Sequence, residues 1–357
     1  MAITDTGKTP VSLTKKLSMK VFITGVAGFI GMHTADRLLS MGIAVIGVDN
    51  INDYYDPSLK LARLEYLKKQ SNFHFIQGDI LDAALLKQIF QKNTFEAVLH
   101  FAAQAGVRHS TLQPQSFIDT NVTGFLNILE VCRQYRIAHF IFASSSSVYG
   151  ANNKLPFSED DSTDQPLSPY GASKKAGELL AFSYSHLYSI PTTGLRFFTV
   201  YGPWGRPDQA PFLFLKAALN YQPIKVFNHG EMARDFTYIG DVVLGIVQAL
   251  KKPPKGGGTS KCEGEDASEL SPNHSAPYKI FNIGNSEPIP LMTFIHEIET
   301  ELGLEIKKQF LPLQDGDVLS THADIRHFQK WANFKPSTPV RDGVHQLVQW
   351  YRSYYQI

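Results

Sequence analysis

The first 200 residues alternate short apolar runs with helical patterns, and the first run ends on Gly25-Val26-Ala27-Gly28-Phe29-Ile30-Gly31. Few folds accept that order. Residues 20–24 are too few for a buried helix and read as a strand, while 29–40 carry apolar residues at helical spacing. The same alternation continues with strands at 43–48, 73–77, 97–101, 139–143 and 193–198. Helices are predicted at 58–70, 83–91, 123–136 and 171–188. Strand, crossover helix and parallel strand in succession build an α/β fold, a Rossmann-type doubly wound parallel sheet with helices on both faces. After about residue 200 the alternation breaks at Gly202-Pro203-Trp204-Gly205-Arg206-Pro207, a loop by its turn residues. A smaller mixed α/β unit follows, with helices at 240–251 and 291–302. The expected organisation is a tail at 1–18, a dinucleotide-binding domain at 19–200 to which later segments return, and a mainly substrate-binding domain at 201–357. Residues 252–277, rich in Pro, Gly, Ser and acid, read as a mobile insertion.

Composition narrows the function. A formal net charge of +1 gives no general attraction to nucleic acid or membranes, so anionic ligands must meet local arginines. Cys132 and Cys262 have no partner pattern, so neither a disulfide framework nor a metal site is expected. Residues 1–18 hold no apolar run, and the expected location is cytoplasmic.

The glycine turn follows a strand and opens a helix, and Asp49 ends the next strand. That context reads as a dinucleotide site. Gly25 permits the turn, Gly28 lets a pyrophosphate approach the backbone, and Gly31 lets the helix pack closely. Asp49 is placed for the adenosine ribose hydroxyls. No arginine adjoins it in sequence, which favours NAD over its 2′-phosphate form. Asp79, after the third strand, is placed for the adenine.

Tyr170 and Lys174 are four apart on one helix, which puts both on one face. Ser168-Pro169 starts that helix at the carboxyl edge of the sheet. Lys174, with a positive nicotinamide ring, is expected to lower the Tyr170 pKa, so that the phenolate accepts a proton from a sugar hydroxyl. Ser144 to Ser147 end the 139–143 strand and read as a bank of active-site hydroxyls.

With His100-Phe101-Ala102-Ala103-Gln104, Ala143 to Gly150 and Arg234-Asp235-Phe236, these motifs resemble the extended short-chain dehydrogenase/reductases that act on nucleotide sugars. Ala102 to Ser110 and Thr199 to Asp208 look most like the UDP-glucuronate 4-epimerases. The resemblance spans roughly residues 19–350. It implies a tightly bound NAD and a transient 4-keto sugar, with Tyr170 taking the 4-hydroxyl proton and Ser145 bonding the same oxygen. It implies a cofactor wall of Phe29, Ile30, Asn50, Ile80, Phe101, Ala102, Asn121 and Lys174. It implies a substrate wall of Arg108, Ser145, Ser146, Ser147 and Thr199, with Arg206 and Arg234 on the pyrophosphate and Asp317 on the uridine ribose. It also implies a homodimer built through helices flanking the sheet.

Related 4,6-dehydratases carry Asp-Glu where Ser146 and Ser147 stand, and decarboxylating relatives carry Glu at Ser147. Neither carboxylate is present, so a reaction without extra proton transfer is expected. The three hydroxyls of Ser146, Ser147 and Thr199 are expected to hold a sugar carboxylate near the plane of the C4 ketone, away from the geometry that loses carbon dioxide. Gln209 departs from the family's usual Met. A UDP-hexose 4-epimerase, on UDP-glucose or an acetamido sugar, and a non-catalytic NAD-sensing protein remain the alternatives.

Overall fold

The computed structural model describes residues 19–256, 276–314 and 318–357. The 1–18 tail, Asp317 and most of the 252–277 insertion lie outside the described residues.

The chain opens with β1 (Lys20–Thr24), α1 (Phe29–Ser40), β2 (Ala44–Asp49), α2 (Pro57–Lys68), β3 (Phe73–Gln77), α3 (Ala83–Lys92) and β4 (Ala97–His100). Short helices α4 (Val107–Leu112) and α5 (Pro114–Ile118) lead through a π-helical turn, Asp119–Gly124, into α6 (Phe125–Gln134). Then come β5 (His139–Ser145), a 3₁₀ turn at Ser146–Tyr149, α7 (Pro169–Tyr188) and β6 (Thr192–Phe197). The second half holds β7 (Thr199–Tyr201), α8 (Ala210–Leu219), β8 (Ile224–Val226), β9 (Ala233–Tyr238), α9 (Ile239–Leu250), β10 (Tyr278–Ile283) and β11 (Pro288–Pro290). It ends with α10 (Leu291–Leu302), β12 (Lys308–Phe310), α11 (Arg326–Ala332) and α12 (Val340–Tyr355).

The main sheet has the order β10-β6-β5-β4-β1-β2-β3, and every neighbouring pair is parallel. This is the expected α/β class. The order reverses between β1 and β4, so their carboxyl ends splay a crevice. Each face is closed by apolar helix stripes. One core joins Val21 and Ile23 to Met32 and Leu38 of α1 and to Val242, Val243 and Ile246 of α9. The other joins Phe22, Val98 and Phe140 to Leu86, Ile89, Ile128 and Leu129. The chain after residue 200 thus returns twice, as a seventh strand and as a covering helix. The smaller unit pairs β11-β9-β7 and β12-β8 over a third core around Phe236, Phe294 and Leu347.

The expected 123–136 helix differs from the structure. A π turn occupies 119–124, and α-helical spacing begins only at Phe125. A π turn adds a residue to the helical repeat and rotates Asn121 inward. Apolar periodicity alone does not encode that rotation.

Among the described residues, His100 and His139 are buried within this frame and His33 is half-buried. Burial lowers His33 to about 4, His100 to about 3 and His139 to about 4. Each stays neutral when folded but charges near its ordinary value when unfolded. The unfolded state therefore binds more protons below about pH 6.5, and stability falls as pH drops from there toward 4. The buried carboxylates Asp49 and Asp235, both raised by burial, oppose this at the acid end. The melting temperature is expected to decrease between pH 6.5 and 5 in a calorimetric series. A flat or rising series would count against neutral burial of these rings.

Candidate active site

A cleft of about 1130 Å³ runs along the carboxyl edge of the main sheet and into the smaller unit. At one end the glycine turn forms its floor. Gly25 has φ +70°, and a Cβ there would lie 2.6 Å from the Ala102 nitrogen. A Cβ on Gly31 would lie 2.1 Å from the Gly25 carbonyl oxygen. Only glycine fits either position. Gly28 caps α1 with no side-chain hydrogen bond, and Phe29, Ile30 and Gly31 of the first turn line the cleft. Bare amides and a positive helix terminus suit a pyrophosphate.

Asp49 holds this floor in shape. Its carboxylate accepts from Ala27 N–H (3.0 Å) and Ile51 N–H (2.9 Å). Asn50 donates to Asp79 (2.8 Å), and Asp79 also accepts from Leu81 N–H (2.9 Å). Asp49, Asn50, Asp79, Ile80, Phe101 and Ala102 all line the same stretch. The residues present fit a dinucleotide: a glycine floor, a helix start and the carboxylate at the end of β2 line one cleft.

Asn121 is expected in this wall but does not line the cleft. Its amide donates to the Gln104 carbonyl (2.9 Å) and to Ser173 Oγ (2.9 Å) and accepts from Gln104 N–H (2.8 Å). The π turn points it at the protein, where it ties the loop after β4 to α7.

At the middle of the cleft stand Ser145, Tyr170 and Lys174. Ser168 caps α7 by accepting from Gly171 N–H (3.1 Å), with Pro169 in the first turn. This presents Tyr170 at the helix mouth. Ser145 accepts from Ser147 N–H (3.1 Å), and its hydroxyl acts to lower the Tyr170 pKa. Lys174 donates to the Ala143 carbonyl (3.0 Å), and burial, with Arg206 adding to it, lowers its amine to about 8.

Tyr170 differs from the expectation of a lowered pKa. Burial raises it, with Ser145 and then Arg206 pulling the other way. The Lys174 ammonium, expected to act on the phenol, donates instead to a β5 carbonyl. The cation pulling the phenol down is Arg206, from the loop after β7.

The serine run divides. All four serines, Ser144 to Ser147, line the cleft, but the Ser144 hydroxyl is committed to Glu178 Oε1 (2.6 Å). Glu178 in turn holds Arg196 through two bonds of 2.9 Å, and Arg196 reaches Tyr149 (3.0 Å). This buried network locks β5, β6 and α7 together beneath the reacting groups.

On the substrate side, Thr199, Arg206, Arg234 and Arg108 line the cleft. Arg206 is paired bidentately with Asp208, whose carboxylate also accepts from Tyr54 (3.0 Å). Arg234 donates to the Ala233 and Leu319 carbonyls (2.9 and 3.1 Å). The Arg108 guanidinium lies 4.6 Å over the Phe227 ring. Sequence reading missed Tyr54, Lys60 and Arg63. Lys60 lines the cleft and donates to the Asn52 carbonyl (2.7 Å), while Arg63 is fully buried behind the glycine turn. A charged helix had concealed them, although their three-residue spacing puts both on one face.

A dinucleotide floor beside a Ser–Tyr–Lys group at the edge of a Rossmann sheet defines an extended short-chain dehydrogenase/reductase. The match to the model of the NAD dependent epimerase/dehydratase family covers residues 21–263, and the chain belongs to that family. Similar proteins include CapI of Staphylococcus aureus, 50% identical over 95% of this chain and 100% of that one. UDP-glucuronate 4-epimerase 4 of Arabidopsis thaliana is 46% identical over 94% of this chain and 76% of its own length. Among solved structures, the UDP-glucuronic acid 4-epimerase of Bacillus cereus, in complex with UDP-glucuronic acid and NAD, aligns with a TM-score of 0.83. The identity is 33%, covering 94% of this chain and 100% of that one.

Proposed function

We propose that this protein is an NAD-dependent isomerase that interconverts UDP-glucuronate and UDP-galacturonate at C4 of the sugar. The observation that carries this reading is the convergence of Ser145, Tyr170 and Lys174 on one cleft, beside a run of serines containing no acid.

Gly25, Gly28, Gly31, Asp49, Asn50, Asp79 and Lys174 hold NAD, which when bound supplies a hydride acceptor and donor at the sugar carbon. Tyr170 accepts the 4-hydroxyl proton and later returns it to the same oxygen on the inverted carbon. Ser145 donates to that oxygen. Lys174 carries its charge below about pH 8, and Arg206 favours the phenolate. Arg206 and Arg234 hold the pyrophosphate, for which planar guanidinium forks are suited. The hydroxyls of Ser146, Ser147 and Thr199 take the uronate carboxylate and keep it near the ketone plane. A neutral hexose offers these hydroxyls no anion. The assembled Ser–Tyr–Lys group argues against a binding protein that has lost its chemistry.

The protein acts in the cytoplasm as a homodimer. Supporting the dimer, α7 leaves Leu179, Leu187 and Tyr188 exposed, an apolar set on a helix flanking the sheet. Among the described residues no helix is long and apolar enough to cross a membrane.

Three measurements test these readings. Tyr170→Phe is expected to lower turnover of UDP-glucuronate by roughly 10²- to 10⁴-fold while NAD remains bound; full activity in that variant would refute the role. Replacing Ser146, Ser147 and Thr199 together by Ala is expected to release carbon dioxide and a UDP-4-keto-pentose, and a variant that leaks neither excludes the carboxylate clamp. Light scattering is expected to give twice the chain mass, falling to one in Leu179→Glu/Leu187→Glu; a monomeric wild type would rule the dimer out.

A further inference from the structure

Arg63 on α2 is fully buried, yet its acceptors include no carboxylate. One terminal nitrogen donates to the Ala27 carbonyl (2.9 Å) and to the Tyr55 hydroxyl (2.7 Å). The other donates to the carbonyls of Trp204 (2.5 Å) and Gly205 (3.2 Å). Nε has no hydrogen-bond partner among the described residues. The Asp49 carboxylate acts on Arg63 only through space, and burying a guanidinium without a hydrogen-bonded anion costs several kcal/mol on general grounds, a cost that Leu or Met would not carry. What an apolar side chain would not do is join these two backbone segments.

Those segments are the two that matter to the cleft. Ala27 lies inside the glycine turn, and its own N–H is held by Asp49. Trp204 and Gly205 immediately precede Arg206. The loop is gripped from other sides as well. His33 donates to the Pro203 carbonyl (2.9 Å), and the Trp204 ring packs on Trp350 and Tyr354 of α12 at 5.3 and 5.2 Å. Trp204 itself is held at φ +60°, a conformation that persists only when its surroundings impose it. No strand pairing links the glycine turn to this loop.

We infer that Arg63 is a positioning residue that sets the distance between the dinucleotide turn and the Arg206 loop, and so the reach of the nucleotide-sugar pyrophosphate from the cofactor. This rests on the reading that Arg206 binds that pyrophosphate. A bridge of this kind acts on ligand alignment, where errors of about 1 Å can cost 10²-fold in rate. It predicts that Arg63 and Arg206 are energetically coupled although neither is shown to touch the other.

The test uses Arg63→Met, Arg63→Lys, Arg206→Ala and the double variant Arg63→Met/Arg206→Ala, with UDP as probe. Calorimetry gives UDP affinity, the nucleotide content after purification gives NAD retention, and melting gives stability. Arg63→Met is expected to weaken UDP binding roughly tenfold, with no further loss when added to Arg206→Ala, a coupling within the range seen for connected sites. Arg63→Lys keeps the charge but not the fork and is expected to fall between wild type and Arg63→Met. Should Arg63→Met not fold, Arg63→Lys decides alone. Unchanged UDP affinity in a folded variant, additive losses in the double variant, or failure of both single Arg63 variants to fold would each overturn the inference and leave Arg63 a scaffold residue. Wild type that binds no UDP, or Arg206→Ala that binds it normally, would instead sink the functional reading beneath it.

Discussion

Three glycines meet at one carbonyl oxygen, and the cleft is organised around that meeting. The Gly25 oxygen accepts from Gly28 N–H at 3.0 Å. It also sits where a Gly31 side chain would be, while Gly25 N–H donates to Val48 O at 2.9 Å on β2. The turn is therefore too tight for a Cβ at Gly25 or Gly31 and is pinned to the sheet at its start. Because it is tight, α1 begins directly above the strand ends, and its free amides face a single point. The Asp49 carboxylate then locks the inside of the turn to the end of β2. The turn is thus held by bonds within the protein itself.

The reacting groups are held by a different device. A buried Glu178–Arg196 pair, supported by Ser144, Tyr149 and Asn282, sits beneath β5, β6 and α7. Such a pair contributes little net stability against well-packed apolar groups. Its evident work is geometric. It fixes the carboxyl end of β5, which carries both Ser145 and the Ala143 carbonyl that receives Lys174. The cations that matter to the chemistry then come from separate walls. Lys174 arrives from α7 and Arg206 from the loop after β7, so a near-neutral chain still concentrates positive charge at one place.

Much of this was legible in the chain. Short apolar runs, the glycine spacing and the acid at the end of the second run led to a parallel sheet and a dinucleotide floor, because strand length and Cβ exclusion act locally. Tyr170, Lys174 and Ser145 were legible for a similar reason: a four-residue helical spacing and a strand terminus determine a face and an edge. The Asn121 bonds to Gln104 and Ser173 were not legible, because a π turn shifts side-chain direction without changing apolar periodicity. The serine run read as one bank because sequence does not reveal that a buried carboxylate lies beside Ser144 alone. Lys60 and Arg63 looked like the solvated face of a charged helix, since burial of the Arg63 cation depends on carbonyls brought from 36 to 142 residues away.

The sequence by itself determined what needs only local sterics and spacing: the strand–turn–helix rhythm, the glycine turn and the pairing of Tyr170 with Lys174 on one helix. Tertiary structure alone decided which polar groups face the cleft and which are consumed in holding it. Ser144 and Asn121 were consumed in hydrogen bonds within the protein, Arg63 was set between the glycine turn and the Arg206 loop, and Arg206 was brought to bear on Tyr170. Hydrogen-bond satisfaction of buried groups is settled by partners distant in the chain, and no local pattern encodes those partners.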